Sequence, residues 1–419
     1  MTGRERVMEA LSYRTPDRVP IDFGGHRSSG IAAVAYARLK KKLGVNTGDI
    51  FVYDMLQQLA IIEEPVLQRF GVDTIEMGRG FCHDPACWKP WILPDGTPCK
   101  IPAYVNLVKD AEGWKILATD GTPMAVMKPG MLYFEQIHFP LMERGIEGDD
   151  FKDLGEMCGK VMWAGVPHPG AHFPLDTEGI AELAAGAKRA RELSNGRAVI
   201  GLFGANMFEM PQFLYRMDNY LLYMAMYPEA VLRLSEALCA LYLAKLEIWL
   251  PAVAPYIDVV LFGDDFGSQN GPLISADMYR EYYKPYHRRM WKRVKELAPH
   301  IKIQLHCCGG IEPLLEDMID AGLDAVNPVQ ITCRGMDAAT LKKKYAGRLT
   351  LWGGGCNTRD VLPQATPAEV YRHVQEQCRI LNPGGGFIFQ QVHNVMADVP
   401  PENIIAMFDA VRNCENARK

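Results

Sequence analysis

The sequence lacks the features that mark nucleic-acid-binding, secreted or membrane-spanning proteins. Its net charge of −5 at pH 7 argues against nucleic-acid binding, which requires a basic face or stripe. The N-terminal residues contain no apolar run of the kind found in secretory signals. The most apolar stretch, residues 220–260, is interrupted by Glu, Arg, Lys and Pro, so we predict no membrane span. We therefore expect a cytoplasmic protein.

Internal repeats and low-complexity tracts are also absent, and the 11 cysteines have irregular spacings. In a large chain without a secretory signal, such cysteines are best interpreted as reduced thiols. The 48% hydrophobic content of the 419 residues is sufficient for a large core. A single barrel domain with insertions reaches this length.

Short apolar segments alternate with amphipathic helical patterns through most of the chain. A repeated strand–helix alternation is typical of the α/β class with a parallel sheet. Eight such segments favour a single (β/α)8 TIM barrel over residues 1–419, although the spacing alone also permits a doubly wound open sheet. The predicted strands are Val19–Phe23, Thr74–Met77, Ala198–Phe203, Ile257–Phe262, Lys302–Leu305, Ala325–Val326, Leu349–Trp352 and Phe387–Phe389.

The alternation is interrupted between about Gly80 and Asn195. This region instead contains the dipeptides Asp95-Gly96 and Asp120-Gly121, each between two strand-like segments. Asp-Gly in that context is a strong hairpin signal. We therefore predict a β-rich insertion over residues 80–195, after the second barrel strand, which forms a lid or a partner surface within the barrel domain.

Polar and metal-binding residue types follow five of the predicted strands. In a TIM barrel, the segments after the strands meet at the C-terminal mouth, where active sites lie. The sequence therefore predicts an active site at this mouth. The five segments are Gly24–Arg27, Gly263–Gln269, His306–Gly310, Gly353–Asn357 and Gln390–Asn394.

The segment His306-Cys307-Cys308 carries the strongest metal signal. Alternate residues of an extended chain share one side, so His306 and Cys308 can bind one ion while Cys307 faces away. Cys356, in a Gly-rich turn after a later strand, is the predicted third ligand. Three protein ligands with one open position are typical of catalytic zinc. The alternative is a core histidine beside small buried thiols.

Two other polar clusters carry weaker signals. Cys82 and Cys87 have a Cys-x4-Cys spacing, but no second pair with finger-like spacing follows them. Asp264 and Asp265 lack the carboxylate number of a calcium loop. We expect these two aspartates to orient the substrate or a ligand histidine, and helix capping is the alternative.

These residues resemble the uroporphyrinogen decarboxylase superfamily, on its zinc- and corrinoid-dependent methyltransferase branch. The resemblance implies a (β/α)8 barrel, zinc on His306, Cys308 and Cys356, and a partner protein that carries a corrinoid (cobalamin). Four segments in the family's order carry it: Thr15–Pro20, Asp264–Pro272, His306–Gly310, and His393-Asn394 followed by Val399–Ile404.

The sequence also departs from two patterns of this superfamily. Decarboxylases have an Arg-rich segment of the Gln-Ala-Gly-Arg type after the first strand, whereas this chain has Asp22–Ser29 there. The insertion is larger than we expect in compact methylcobalamin:coenzyme M methyltransferases. The Asp-x-His-x-x-Gly pattern of corrinoid carriers is absent, so the corrinoid is expected on a separate protein.

We therefore predict a zinc-dependent methyltransferase that moves a methyl group from a methylated small molecule to the cobalt of a corrinoid protein. A methoxylated compound is the favoured class of donor. Transfer from a methyl-corrinoid protein to a thiol is the main alternative. A decarboxylase-like enzyme and a non-enzymatic corrinoid-binding protein are less favoured, and a homodimer is compatible with the sequence. His393 is predicted as a general acid and Asp265 as a second catalytic residue. The predicted substrate-binding residues are Asp264, Gln269, Asn394, His26 and Arg27.

Overall fold

Seven parallel strands form one curled sheet at the centre of the molecule. The computed structural model describes residues 1–165 and 176–414. The strands follow one another around the sheet in the order in which they occur in the chain. Their bounds are Thr74–Glu76, Ala198–Gly204, Val259–Gly263, Lys302–His306, Ala325–Asn327, Thr350–Trp352 and Phe387–Ile388.

The segment around Ile21 closes the sheet into a barrel. Ile21 forms a parallel bridge with Phe389, at the end of the last strand. On its other side, the Ile21 carbonyl accepts a hydrogen bond of 2.7 Å from the backbone N–H of Asp73, next to the first strand of the sheet. Residues 19–23 therefore take the first of eight barrel positions, and Thr74–Glu76 takes the second. The predicted TIM barrel is confirmed, and the open-sheet alternative is excluded.

The strands are apolar on both faces because both faces are buried. In the fourth barrel strand, Val259 and Leu261 belong to one buried cluster, and Val260 and Phe262 belong to another. This alternation follows the two-residue period of a strand. The first cluster also contains Val7 and other residues of the N-terminal helix. That helix packs on the barrel interior, and the site lies at the opposite, C-terminal end of the strands.

Helices cover the outside of the barrel. The helix Pro367–Leu381 illustrates why they form: Thr366 and Glu369 make a capping box, and Val370 and Val374 are buried on one face. Within the described part of the chain, no helix combines the length and apolar character that a membrane span requires. The helices are Gly3–Ala10, Ala33–Leu43, Glu64–Phe70, Leu154–Cys158, Met162–Gly165, Thr177–Leu193, Glu209–Tyr215, Met217–Met226, Pro228–Val253, Ala276–Tyr282, Lys284–Leu297, Glu312–Ala321, Ala338–Tyr345, Pro367–Leu381 and Pro401–Arg412, with single-turn 3-10 helices at Met77–Gly80 and Pro85–Cys87.

The β-rich insertion follows the second barrel strand, as predicted. Asp95-Gly96 lies between the strands of its first hairpin, and Asp120-Gly121 lies between two strands of a four-stranded antiparallel sheet. Gln136 in that sheet donates a hydrogen bond of 2.7 Å to the Phe213 carbonyl, so the insertion reaches the barrel mouth. Its strands are Trp88–Ile92, Pro98–Pro102, Asn106–Asp110, Gly113–Leu117, Pro123–Met127 and Glu135–Gln136, and short antiparallel pairs elsewhere are Val52–Asp54 with Leu59–Ala60 and Gly267–Ser268 with Gly271–Pro272.

Candidate metal centre

His306, Cys308 and His393 bring three potential ligand atoms together at the barrel mouth. One nitrogen from each histidine and the Cys308 sulfur all lie within 4.8 Å of one another. His306 is the last residue of the fifth barrel strand, and His393 follows the eighth. The two strand ends converge because the carboxyl ends of all barrel strands open at one face. The structure thus confirms that His306 and Cys308 face one point.

The ring of His306 is held in one orientation by its Nδ1 atom. Nδ1 lies 3.0 Å from Asn327 Oδ1 and 2.8 Å from Ser28 Oγ. The Asn327 amide is itself oriented, because its Nδ2 donates to the Trp352 carbonyl at 3.0 Å. Since an amide oxygen only accepts hydrogen bonds, Nδ1 carries the proton. The Nε2 lone pair is therefore left for a metal ion, and Nε2 is 3.4 Å from Cys308 Sγ.

Asp265 fixes the position of Cys308 through the backbone. Its Oδ1 accepts a hydrogen bond of 2.6 Å from the Cys308 N–H and lies 3.7 Å from His306 Nε2. Burial and the Asp265 charge raise the pKa of the Cys308 thiol well above its usual value. A thiolate at this position therefore needs a bound cation to stabilise it. Cys307 is fully buried and faces away, with its sulfur 3.3 Å from the Phe266 N–H.

His393 lies in this cluster, whereas the sequence analysis expected it beside the ion as a general acid. Desolvation in the protein interior lowers its pKa to about 3, and His306 and His26 contribute to the shift. The ring is therefore neutral at neutral pH. A neutral imidazole offers a lone pair to a metal and holds no extra proton for a leaving group.

Cys356, the predicted third ligand, lies outside the cluster. It is fully buried among apolar side chains of the main core, with its sulfur 4.0 Å from the Asn357 carbonyl. Gly353 and Gly354 precede it with positive φ angles of 114° and 77°. Such a turn changes which side of the chain the next residues occupy. Position after a strand therefore did not determine where the thiol points.

Asp264 is a structural residue, although it was predicted to bind substrate. Its carboxylate accepts hydrogen bonds of 2.8 to 3.0 Å from the backbone N–H groups of residues 207–209, at the start of the helix Glu209–Tyr215. His287 Nε2 lies 3.3 Å from the same carboxylate. Asp264 is fully buried and does not line the cavity beside the metal cluster. These contacts are those expected of the helix-cap alternative.

His26 and Asn394, which were predicted to bind substrate, both make contacts within the protein framework. His26 is buried, with Nε2 3.1 Å from Asp22 Oδ2. Asn394 is buried, and its Oδ1 accepts a hydrogen bond of 2.8 Å from the Gly30 N–H. The Asn394 contact joins the loop after the first barrel segment to the segment that follows the eighth strand. Neither side chain lines the cavities next to the cluster.

A cavity of about 450 Å³ opens beside the cluster. His306, His393 and Asp265 form part of its wall, and predicted residue Arg27 lies in it as well. A second cavity of about 360 Å³ adjoins Cys308 and His393 from another side. Its lining includes several polar side chains, among them that of the predicted residue Gln269. The first cavity is lined by Arg27, Ser28, Gln57, Trp163, Ala164, Leu202, Phe203, Gly204, Ala205, Asn206, Glu209, Met210, Phe213, Tyr242, Leu261, Phe262, Gly263, Asp265, His306 and His393.

Glu209 is a functional candidate that the sequence analysis missed. It lines the first cavity, and its Oε2 accepts a hydrogen bond of 2.6 Å from Asn206 Nδ2. Burial and the nearby Asp265 and Asp264 carboxylates raise its pKa well above the usual value, which favours the protonated form of the side chain. The sequence did contain a signal for Glu209, because both Asn206 and Glu209 follow a predicted barrel strand.

Comparison with known protein families identifies one match. The family model described as Uroporphyrinogen decarboxylase (URO-D) matches residues 173–414. That range is more than half of the chain.

Similar curated proteins have two kinds of activity. Uroporphyrinogen decarboxylase of Legionella pneumophila (strain Corby) is 28% identical over 155 residues, which are 37% of this chain and 41% of that protein. Methylated-thiol–coenzyme M methyltransferase of Methanosarcina mazei is 33% identical over 116 residues, 26% of this chain and 27% of that protein. The chain thus matches less than half the length of either relative.

A solved structure has the same fold. The structure described as a methyltransferase from Methanosarcina mazei aligns over 98% of both chains, with a TM-score of 0.57 and 14% sequence identity. At this identity the likeness concerns the fold alone.

Proposed function

The chain belongs to the uroporphyrinogen decarboxylase (URO-D) family, and from that premise we propose that it is a zinc- and corrinoid-dependent methyltransferase. The observation that carries the proposal is the cluster of His306, Cys308 and His393 beside a cavity at the barrel mouth. A decarboxylase reaction gives no role to Cys308. The methyl donor is a methylated small molecule, with a methoxylated compound as the favoured class. The acceptor is the cobalt of a separate corrinoid protein.

The three side chains fit a zinc ion. Two imidazole nitrogens and one thiolate suit this borderline-soft metal, and three protein ligands leave one position open for the substrate. His306 is already oriented by Ser28 and Asn327, as ligand histidines are in zinc sites. We assign the third ligand to His393 in place of Cys356. Zinc bound here would act as a Lewis acid on the donor heteroatom.

The protein's own residues supply positioning and a proton. In the proposed reaction, the acceptor cobalt(I) would supply the electron pair for its bond to the methyl carbon and become cobalt(III). The bond between methyl carbon and donor oxygen would break at the same time, and the oxygen would keep the electron pair of the broken bond. That oxygen then needs a proton. Glu209 lines the cavity, and its raised pKa favours the protonated carboxyl group, so it is the proposed general acid. Asp265 keeps the Cys308 backbone in place and is the proposed second polar group beside the reacting oxygen.

The partner protein is proposed to dock its corrinoid over the barrel mouth. The chain has no Asp-x-His-x-x-Gly pattern of its own, which supports a separate carrier. The insertion over residues 80–195 borders the mouth through Gln136 and Phe213. We propose that it forms part of the donor pocket and of the docking surface.

Methyl transfer in the reverse direction, from a methyl-corrinoid protein to a thiol, is a second candidate function. The similar Methanosarcina mazei protein is named for methyl transfer from methylated thiols to coenzyme M. The second cavity, beside Cys308 and His393, has room for a small thiol acceptor. In this candidate the same cluster would activate a thiol instead of an ether oxygen.

A spectroscopic assay tests the proposal. The zinc-loaded protein is mixed with cob(I)alamin and a panel of methoxylated compounds, and the cobalt spectrum is followed. We expect conversion to methylcobalamin with at least one donor, and no conversion with the Cys308→Ala variant. Transfer only from methylcobalamin to a thiol would favour the second candidate. Loss of carboxyl groups from uroporphyrinogen without any methyl transfer would overturn the proposal.

A further inference from the structure

The donor cavity has aromatic walls. Phe203 and Phe213 line it, together with Tyr242 and Trp163. Phe203 is fixed by edge-to-face packing on Phe262, with the ring centroids 5.6 Å apart. Aromatic side chains bind flat rings through stacked and edge-to-face contacts. The volume of about 450 Å³ falls in the range of ordinary small-molecule sites, so the cavity suits a donor with a single substituted ring.

Arg27 is the cationic side chain among the residues that line this cavity. Its guanidinium stacks over Trp163, with Cζ 5.3 Å from the ring centroid. The side chain is only 16% exposed, and Nε lies 3.4 Å from Asp54 Oδ2. Among the described residues, Nε has no hydrogen-bond acceptor with suitable geometry. The guanidinium is thus held in position while its Nε donor lacks a hydrogen-bond acceptor among the described residues.

Asp54, the ion-pair partner of Arg27, already accepts hydrogen bonds from other donors. Asp54 Oδ1 accepts a hydrogen bond of 3.0 Å from the Gln57 N–H, and Oδ2 accepts one of 3.2 Å from Gln57 Nε2. A planar guanidinium is the protein group best suited to bind a carboxylate with two parallel hydrogen bonds, and Nε of Arg27 has no acceptor among the described residues. A buried donor without a hydrogen-bond acceptor also costs free energy. A bound carboxylate would supply the missing acceptor.

We propose that the methyl donor is an aromatic methyl ether that bears a carboxylate, with its ring between the aromatic walls and its carboxylate on Arg27. This inference rests on the proposed function and narrows it to one substrate class. Aromatic walls alone could also hold a methylated ammonium group through cation–π contacts. The guanidinium disfavours that cation because like charges repel at close range in a desolvated site.

The test compares charged and neutral donors in matched variants. Initial rates with cob(I)alamin are measured for the ortho, meta and para methoxybenzoates and for methoxybenzene, with the parent protein and with Arg27→Gln, Arg27→Lys and Arg289→Gln. Arg289 pairs with Glu236 on the exposed surface and serves as the matched control. Binding of unreactive benzoate to the zinc-loaded protein is measured by calorimetry without corrinoid.

We expect Arg27→Gln to raise KM for the preferred methoxybenzoate by about 10- to 100-fold, the equivalent of one lost charged hydrogen-bond pair. The KM for methoxybenzene should stay within about threefold of the parent value, since that donor has no group for Arg27. Arg27→Lys should recover part of the loss, and Arg289→Gln should behave like the parent. Benzoate should bind the parent protein and should bind Arg27→Gln more weakly by a similar factor.

Two other results would separate a failure of the Arg27 assignment from a failure of the proposed function. Demethylation of methoxybenzene as efficiently as of every methoxybenzoate, with no effect of Arg27→Gln on either, would overturn the assignment of Arg27 while leaving the methyltransferase intact. Benzoate binding that depends on Arg27 without methyl transfer from any donor would support the carboxylate site and count against the proposed function.

Discussion

Ser28 Oγ lies 2.8 Å from His306 Nδ1, and this contact joins the loop after the first barrel segment to the end of the fifth strand. The two residues are 278 positions apart in the sequence. Asn327 reaches the same nitrogen from the sixth strand end. The histidine that is best placed to bind a metal is therefore oriented by two further strands of the barrel.

Ser28→Ala should weaken zinc binding without unfolding the protein. Removal of a hydrogen bond that orients a ligand histidine typically reduces metal affinity by about 10- to 100-fold. The zinc dissociation constant is measured by competition with a chromogenic chelator. Ser12→Ala, a substitution at the end of the N-terminal helix, serves as the control. Unchanged affinity in Ser28→Ala would show that Asn327 alone orients the ring.

Glu209→Gln should lower the methyl-transfer rate by about 100-fold or more, as expected for loss of a general acid. The amide keeps the size and the contact with Asn206 but has no proton to give. Zinc content should be unchanged, which separates this effect from loss of the metal. Glu281→Gln, on an exposed helix face, is the control. A rate equal to that of the parent would leave Glu209 without a catalytic role.

Asp264→Asn should destabilise the fold and leave zinc content unchanged. The carboxylate accepts three backbone N–H groups and faces His287, so the neutral amide cannot satisfy the same donors. Loss of such buried partners costs about 1–3 kcal/mol, which denaturant unfolding can resolve. A variant with parental stability and defective methyl transfer would instead return Asp264 to the substrate-binding set.

The metal-free protein should lose stability as the pH falls from 6.5 towards 5. The pKa of His393 is lowered from 6.5 to about 3 in the folded state, so the unfolded chain binds more protons in this window. Stability therefore increases with pH here and is lost on acidification. Unfolding midpoints of parent, His393→Gln and the exposed-residue control His83→Gln are compared in the presence of chelator. His393→Gln should flatten the pH dependence, and equal slopes in all three proteins would contradict a neutral His393 in the folded protein.

Much of the framework was predictable because it depends on local patterns. Strands buried on both faces have short apolar runs, and all eight were located from the sequence. The pairing of His306 with Cys308 follows from the two-residue period of an extended chain. The Asp-Gly dipeptides predicted the hairpins of the insertion for an equally local reason.

The composition of the site was only partly predictable, since it depends on side-chain directions after the strands end. Cys356 and His393 both follow strands, and the sequence offered no means to tell which of them lies in the cluster with His306 and Cys308. A glycine turn directs Cys356 into the core, whereas His393 faces the cavity. Asp264 and Asp265 are neighbours, yet one caps a helix and the other contacts the cluster. Such choices depend on distances between strand ends that are remote in the sequence.

The most direct test of the metal centre is the zinc content of His393→Ala and Cys356→Ala, determined by elemental analysis after purification with limiting zinc. The parent and Cys356→Ala should each retain about one zinc per chain, as a three-ligand site requires. His393→Ala should lose most of it, as should Cys308→Ala. Zinc retained in His393→Ala and lost in Cys356→Ala would contradict the proposed centre and restore Cys356 as the third ligand.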